Sequence, residues 1–460
     1  MAFQTINPNT NKLVQSFDAM TADATDDAIS KAAATFDAWK TTDYAVRAQL
    51  LYKIAGLLRA QKQELAQIIT LEMGKLLSHA QGEIKLSAEI FDYYAKNAET
   101  LLADKILNPV HGKAFIRSSP IGILLGIQPW NFPFYQVARF AAPNIMIGNT
   151  VLVKHASNVP QCAMAMERIF IEAGAPLGLY TNLMVSHEQI IDLIADKRVR
   201  GVSLTGSESA GANVATVAGK NIKKSVLELG GSDAFIVLED ADIDQAVDWA
   251  VVGRINNNGQ CCVASKRFIV VAEIADAFLE KFKTKLAELV VGDPVDTKTQ
   301  LGPLCTEEAA TKIANQVERA VDGGAKIILG GKRVDRIGAF MEATILTDVT
   351  QNNPVFYEEF FGPVALFFKV KNEEEAIALA NNSPYGLGGS VFTQDIERGK
   401  RVANQIDTGM VFINHPTWTQ ADLPFGGTKN SGYGREMAAL GLEEFVNKKL
   451  IRISELSDPF

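Results

Sequence analysis

The sequence predicts an α/β protein of two α/β units with a small additional β element. Three observations lead there. From Ile121 onward, short apolar runs of strand length alternate with segments of helical periodicity, the pattern of mostly parallel sheets covered by helices. The alternation continues on both sides of Gly231, where we place the boundary between the units. The chain has 460 residues, 47% hydrophobic and 21% charged, so it can bury large cores without disulfide or metal staples. Length alone suggests about three domains; the strand–helix pattern reduces that to two main ones.

From about Asp26 to Ala98 the chain reads as helical, with Leu50, Leu51, Ile54, Leu57 and Leu58 spaced for one helix face. Ala103–Pro120 is polar and punctuated by Pro and Gly, so it reads as an excursion or hairpin. Expected strands follow at Ile121–Ile127, Thr150–Lys154, Gly201–Thr205, Ser225–Leu229 and Ala234–Leu238. Helices are expected at Tyr135–Ile147, Pro160–Ala173 and Ser209–Val217. A second series of strands is expected at Phe268–Val271, Lys326–Leu329, Ala365–Val370, Gly389–Thr393 and Met410–Asn414. Lys448–Ser454 reads as an edge strand.

The net charge of −8 argues against nucleic acid or an anionic membrane as partner, since either would need a basic surface. The first residues lack the basic-then-apolar pattern of a secretory signal, and no apolar run is long enough for a membrane span. Four cysteines, Cys162, Cys261, Cys262 and Cys305, make no disulfide framework and fit a reducing cytoplasm. Neither C-x-x-C nor H-E-x-x-H occurs, so no metal is expected. G-x-G-x-x-G, the complete P-loop and G-x-S-x-G are also missing, which leaves any nucleotide site to another arrangement.

Five segments could carry chemistry. In Asn256–Cys262 (NNNGQCC), Gly and small polar residues allow a tight turn that presents a thiol among free N–H groups; the alternative is an inert core cysteine. In Leu227–Asp233 (LELGGSD), Glu228 is a lone acid in an apolar strand, either a desolvated general base or a salt-bridged strand end. In Pro129–Pro133 (PWNFP), two prolines stiffen a loop at a strand end. Asn131 there either donates to a developing oxyanion or satisfies its own turn. Lys154, with Ser157 three residues on, could hold phosphate or ribose, or be solvated. Gly206–Ser207 opens a helix whose free N–H groups suit a pyrophosphate, or is a plain cap.

In order and spacing, these segments resemble the aldehyde dehydrogenase superfamily over nearly the whole chain. PWNFP is followed by a strand ending in Lys, then TGSxxxG, LELGG and GQxC, with 34 residues from Glu228 to Cys262. Glu359–Val364 (EFFGPV), Asn382–Leu387 (NSPYGL) and Pro424–Gly432 (PFGGTKNSG) extend the match.

The resemblance implies that Cys262 is the nucleophile, Asn131 with the Cys262 N–H holds the oxyanion, and Glu228 activates the hydrolytic water. It implies cofactor contacts for Lys154, Ser157, Gly206, Ser207, Glu359, Phe361 and Trp130. Many NAD-preferring relatives carry Glu where Ser157 stands, so NADP is the expected cofactor, with NAD as an alternative. Among subgroups, the succinate-semialdehyde dehydrogenases are most similar, through Lys154–Val159 and Lys266–Ile269. Arg139 would then bind the substrate carboxylate beside Thr419, although a second subgroup arginine is replaced here by Asn256. The alternatives are another small aldehyde, such as glutarate semialdehyde or lactaldehyde, or a non-catalytic binding protein on the same fold. The implied architecture is a Rossmann-like cofactor domain (1–101 and 121–230), a catalytic domain (231–429) and an oligomerisation element (102–120 and 430–460) in a homodimer or homotetramer.

Overall fold

The computed structural model describes residues 3–457; the outermost residues of the two terminal segments, 1–2 and 458–460, lie outside them. Two large sheets carry the architecture. The first has the order Gly432–Tyr433, Lys224–Glu228, Val199–Thr205, Ile123–Gln128, Thr150–His155, Tyr180–Asn182. All its neighbours are parallel except the first pair. The second runs Lys326–Leu329, Thr344–Thr347, Val364–Val370, Ser265–Val271, Asp233–Val237, Gly389–Phe392, Phe412–Ile413. It is parallel apart from its first pair. The chain crosses from one sheet to the other between Glu228 and Asp233.

The inner strands are buried on both faces, as parallel sheets require when helices cover each side. Four helices, Ala22–Trp39, Tyr44–Ala60, Lys62–Met73 and Leu77–Leu101, form the predicted N-terminal helical region. Tyr135–Ile147 is as predicted and is buried along its whole length. Its C-terminal carbonyls at Met146 and Ile147 accept from the buried Arg47 guanidinium, which also donates to Trp39 and Lys40 at the end of another helix. One cation thus caps two helix C-termini, where the helix dipole favours positive charge.

The excursion after Leu102 is a hairpin, Lys105–Leu107 with Lys113–Pro120, and Val446–Ile453 completes it as an outer strand. Residues 430–437 depart from the expectation that the whole C-terminal segment joins this element. Gly432–Tyr433 instead extend the first sheet, pairing antiparallel with Leu227 and Glu228. Gly432 sits at φ +106°, and a Cβ there would lie 2.0 Å from the Leu227 carbonyl oxygen, so only glycine permits this approach. The expected strand Met410–Asn414 shrinks to Phe412–Ile413 because Asn414 turns left-handed, at φ +57°. An N-terminal hairpin, Phe3–Asn7 with Lys12–Phe17, was not predicted.

Candidate active site

The segment 256–262 is held as a rigid arch. Asn257, Asn258 and Gly259 all adopt left-handed backbone conformations, at φ +53°, +56° and +77°. Asparagine tolerates this through local side-chain hydrogen bonds. Here, however, the Asn258 side chain reaches outward, donating to Gly74 and Pro303 and accepting from Gly302 N–H. A Cβ on Gly259 would lie 2.4 Å from the Gly362 carbonyl carbon. Cys262, half-buried, emerges from the arch into a cleft of about 970 Å³ shared with Phe132, Tyr135, Trp418, Thr419 and Phe425. Cys261 is buried in the core. The two thiols share a hydrogen bond, so one proton leaves the pair more readily than the second. That bond and burial push the Cys262 thiol up, while Arg139 and Lys266 pull it down.

Asn131 sits against this arch. Its Nδ2 donates to the Gln260 carbonyl (3.1 Å) and its Oδ1 accepts from Gln136 (3.1 Å), which fixes the amide orientation and leaves one N–H for another acceptor. Its own carbonyl accepts from Lys75 Nζ (2.7 Å) and Asn257 Nδ2 (2.9 Å). Lys75 and Glu83 form a fully buried ion pair, and the other Glu83 oxygen accepts from the Phe134 and Tyr135 N–H groups. Lys75 also lies 3.7 Å from the Phe132 ring centre. Lys75→Met leaves a buried carboxylate unpaired and should destabilise the fold by about 3–5 kcal/mol in urea unfolding. Adding Glu83→Gln should recover part of that loss.

Glu228 lies at the end of strand Lys224–Glu228, 1% exposed. Among the described residues neither of its oxygens has a hydrogen-bond partner, and burial holds its pKa well above the carboxylate range. Arg139 opposes that shift. Arg139, expected beside the substrate carboxylate, lies back from the cleft. It is 1% exposed, is absent from the residues lining the cleft, and is ion-paired with Glu436. A buried guanidinium is stabilised best by such a partner. Its remaining bonds go to Thr205 Oγ1 (3.0 Å) and Tyr135 Oη (3.1 Å), and its guanidinium lies 4.5 Å from the Phe425 ring centre. Tyr135 and Phe425 therefore stand between it and the cleft. Thr419 lines the cleft with Tyr135, whose hydroxyl donates to Met437 Sδ (3.6 Å). Arg254 also serves the scaffold, donating to the Gly259 and Val364 carbonyls.

On the other side of the arch, the sheet ends present the expected cofactor residues. Lys154 lies one residue before the end of its strand, 4% exposed, and burial alone lowers its pKa to about 8. A buried cation whose shift comes from desolvation alone suits an incoming anion. Ser157 follows in the next loop, where its carbonyl accepts from Gln4 N–H of the N-terminal hairpin (3.1 Å). Gly206 donates its N–H to the Glu228 carbonyl, and Ser207 caps helix Glu208–Lys220 at an exposed N-terminus. Trp130 and Phe361 meet edge to face at 5.7 Å between ring centres. Glu359 accepts from Gly231 N–H (3.1 Å) and is ion-paired with Lys266 Nζ at 3.1 Å. These residues fit a dinucleotide with an anionic group near Lys154 and a ring system near Trp130 and Phe361.

Residues 1–451 match the profile of the Aldehyde dehydrogenase family. The chain belongs to the aldehyde dehydrogenase family. It is 48% identical over 450 residues to a succinate-semialdehyde dehydrogenase [NADP(+)] of Deinococcus radiodurans, covering 98% of this chain and 94% of that one. It is 46% identical to succinate-semialdehyde dehydrogenase [NADP(+)] 1 of Mycobacterium bovis, covering 99% and 100%. Its fold superposes on the crystal structure of a Streptococcus pyogenes succinic semialdehyde dehydrogenase in complex with NADP+, with TM-score 0.97, 45% identity, and coverage of 99% and 100%. The two-sheet α/β architecture is therefore that of solved aldehyde dehydrogenases.

Within this aldehyde dehydrogenase, sequence reading missed the supports of the site: Lys75, Glu83 and Glu436. Glu83 and Lys75 lie in the helical N-terminal region, where charged residues read as solvated faces. Their signal was available in one respect only, since Gly74–Lys75 interrupts the helical pattern and Gly74 turns left-handed at φ +74°.

Proposed function

We propose that the protein oxidises succinate semialdehyde to succinate with NADP as hydride acceptor. The observation that carries this reading is the placement of Cys262 and the Tyr135–Thr419 hydroxyl pair on one cleft, with the Arg139 cation directly behind Tyr135. Tyr135 Oη accepts from Arg139 and donates to Met437 Sδ (3.6 Å), a weak acceptor that a substrate carboxylate would displace. The carboxylate would thus meet two hydroxyls at the cleft wall, polarised by a buried cation. The names of the relatives from Deinococcus radiodurans and Mycobacterium bovis support both substrate and cofactor.

The chemistry would run as follows. The Cys262 thiolate adds to the aldehyde carbon, and the carbonyl oxygen becomes an oxyanion facing the free Asn131 N–H and the Cys262 backbone N–H. Hydride leaves that carbon with its electron pair, and accepting it is the chemistry the bound cofactor supplies. A thioester then remains on Cys262. Glu228 takes a proton from water as the water oxygen attacks the thioester carbon; the C–S bond breaks and Cys262 leaves as thiolate.

Lys154 and Ser157 would hold the 2′-phosphate of NADP, with Gly206 and Ser207 at the pyrophosphate, Glu359 at the nicotinamide ribose, and Trp130 and Phe361 beside the ring. Binding an anion raises the Lys154 pKa above its free value of about 8. NADP affinity should therefore be full below about pH 8 and decline above it, as the free enzyme loses the proton that the complex keeps. Titrating NADP binding from about pH 6 to about pH 10 checks the sign.

The substrate reading is tested by NADPH formation with a panel of aldehydes, each with NADP and NAD. Succinate semialdehyde with NADP should give the highest kcat/KM, and Tyr135→Phe should raise its KM by about tenfold, as expected for one lost charge-assisted hydrogen bond. Equal kcat/KM for uncharged aldehydes of similar length would contradict it. We also infer two domains, 1–101 with 121–230 for cofactor and 231–429 for catalysis, in a cytoplasmic homodimer or homotetramer. The exposed outer strand Val446–Ile453, with Leu450 and Ile453 largely exposed, supports self-association, and four free cysteines support a reducing compartment.

A further inference from the structure

Lys266 is a buried cation that the mechanism above does not use. It lies on strand Ser265–Val271 with 1% exposure. Its ammonium donates to the carbonyls of Cys261 (3.0 Å), Cys262 (2.7 Å) and Ala264 (3.3 Å), three residues of the turn that carries the nucleophile. The same ammonium lies 3.1 Å from Glu359 Oε1. Glu359 has one other fixed partner, the Gly231 N–H, on the turn that follows Glu228. The space around it is closed: a Cβ on Gly230 would lie 2.5 Å from Glu359 Oε2, and one on Gly231 would lie 2.7 Å from the Cys262 carbonyl oxygen. Nucleophile turn, Lys266 and Glu359 therefore form one contiguous polar chain.

We propose that Lys266 is a positioning residue that couples the nucleophile turn to Glu359, so that removing the Glu359 carboxylate from Lys266 changes the state of Cys262. The proposal rests on the reading that Glu359 binds the cofactor ribose. Ribose hydroxyls and Lys266 would compete for one carboxylate, and cofactor occupancy would be felt at the thiol without direct contact. Coupling of this kind is reciprocal. The charged and titratable groups facing Cys262 are Cys261, Arg139, Lys266 and Tyr135. Those facing Lys266 are Glu359, Asp233 and the two thiols, Cys261 and Cys262. With Glu359 drawn away, more of the Lys266 charge acts on the Cys262 thiolate, which is then favoured.

The test is a double-mutant cycle on thiol reactivity, which needs neither turnover nor cofactor. The pH dependence of iodoacetamide alkylation is followed by intact mass, with Cys262→Ala reporting the other thiols. Glu359→Gln should lower the Cys262 midpoint by about one unit, a tenfold gain in thiolate at fixed pH, and Lys266→Met should raise it by about as much. The double variant should match Lys266→Met alone, and Lys266→Arg should remain near wild type. Lys266→Gln replaces Lys266→Met if that variant does not fold. No shift in Glu359→Gln, or the same shift with and without Lys266, would overturn the coupling. NADP titration of Glu359→Gln separates the two readings: unchanged affinity removes Glu359 from the ribose site, while the thiol midpoints alone decide the coupling.

Discussion

Cys262→Ala is expected to reduce aldehyde-dependent NADPH formation by a factor on the order of 10⁴ or more while leaving NADP binding intact. The loss is large because no neighbour can replace the sulfur. Cys261 borders the same cleft but is only 5% exposed and packs into the core, against a half-buried Cys262, and Cys162 and Cys305 are buried elsewhere. The substitution removes the shared hydrogen bond with Cys261 and a few partly exposed atoms, so folding should be little affected. Fluorescence titration of NADP into the variant, beside a turnover assay, reads both halves of the expectation. Retained turnover would transfer the nucleophile role elsewhere.

Glu228→Gln should separate the two halves of the reaction. Acylation and hydride transfer need Cys262 and Asn131, so a first-turnover burst of NADPH should persist. Steady-state turnover should fall by about 10²–10⁴-fold, the usual contribution of a general base. Stability should move the other way. The folded-state pKa of Glu228 is raised, chiefly by burial. The unfolded chain therefore gives up this proton first, and the raised pKa costs stability progressively as pH rises from the ordinary carboxylate range through the folded value. A neutral isostere removes that cost, so Glu228→Gln should be at least as stable as wild type at neutral pH. Rapid-quench kinetics and urea unfolding at two pH values check these outcomes together.

Much of this was legible in the sequence because the informative residues sit at local junctions. Pro129 and Pro133 bracket a loop, Gly259 and Gly231 allow close approaches, and the apolar runs at Ile123–Gln128 and Thr150–His155 can only be buried strands. What escaped depends on partners distant in the chain. Glu436 neutralises Arg139 from nearly 300 residues away, and no local pattern marks it. Lys75 and Glu83 are close in sequence, yet their purpose lies in the Asn131 loop that they hold. The N-terminal hairpin escaped for a different reason: Lys12–Phe17 is mostly exposed and lacks an apolar alternation, although Asn-Pro-Asn-Thr-Asn at its turn is a recognisable signal. Arg139 shows the limit of position-based reasoning, since the residue occupies the matching place but reaches the cleft only through Tyr135.

The proposed reaction turns on a thioester of the substrate formed on Cys262 after hydride transfer to NADP. The direct measurement is peptide mass spectrometry of Glu228→Gln quenched in acid after mixing with NADP and succinate semialdehyde. A succinyl group on Cys262 is expected, formed in step with the NADPH burst and absent without NADP. A burst of NADPH with no acyl group on Cys262, or with the acyl group on Cys261, would contradict it.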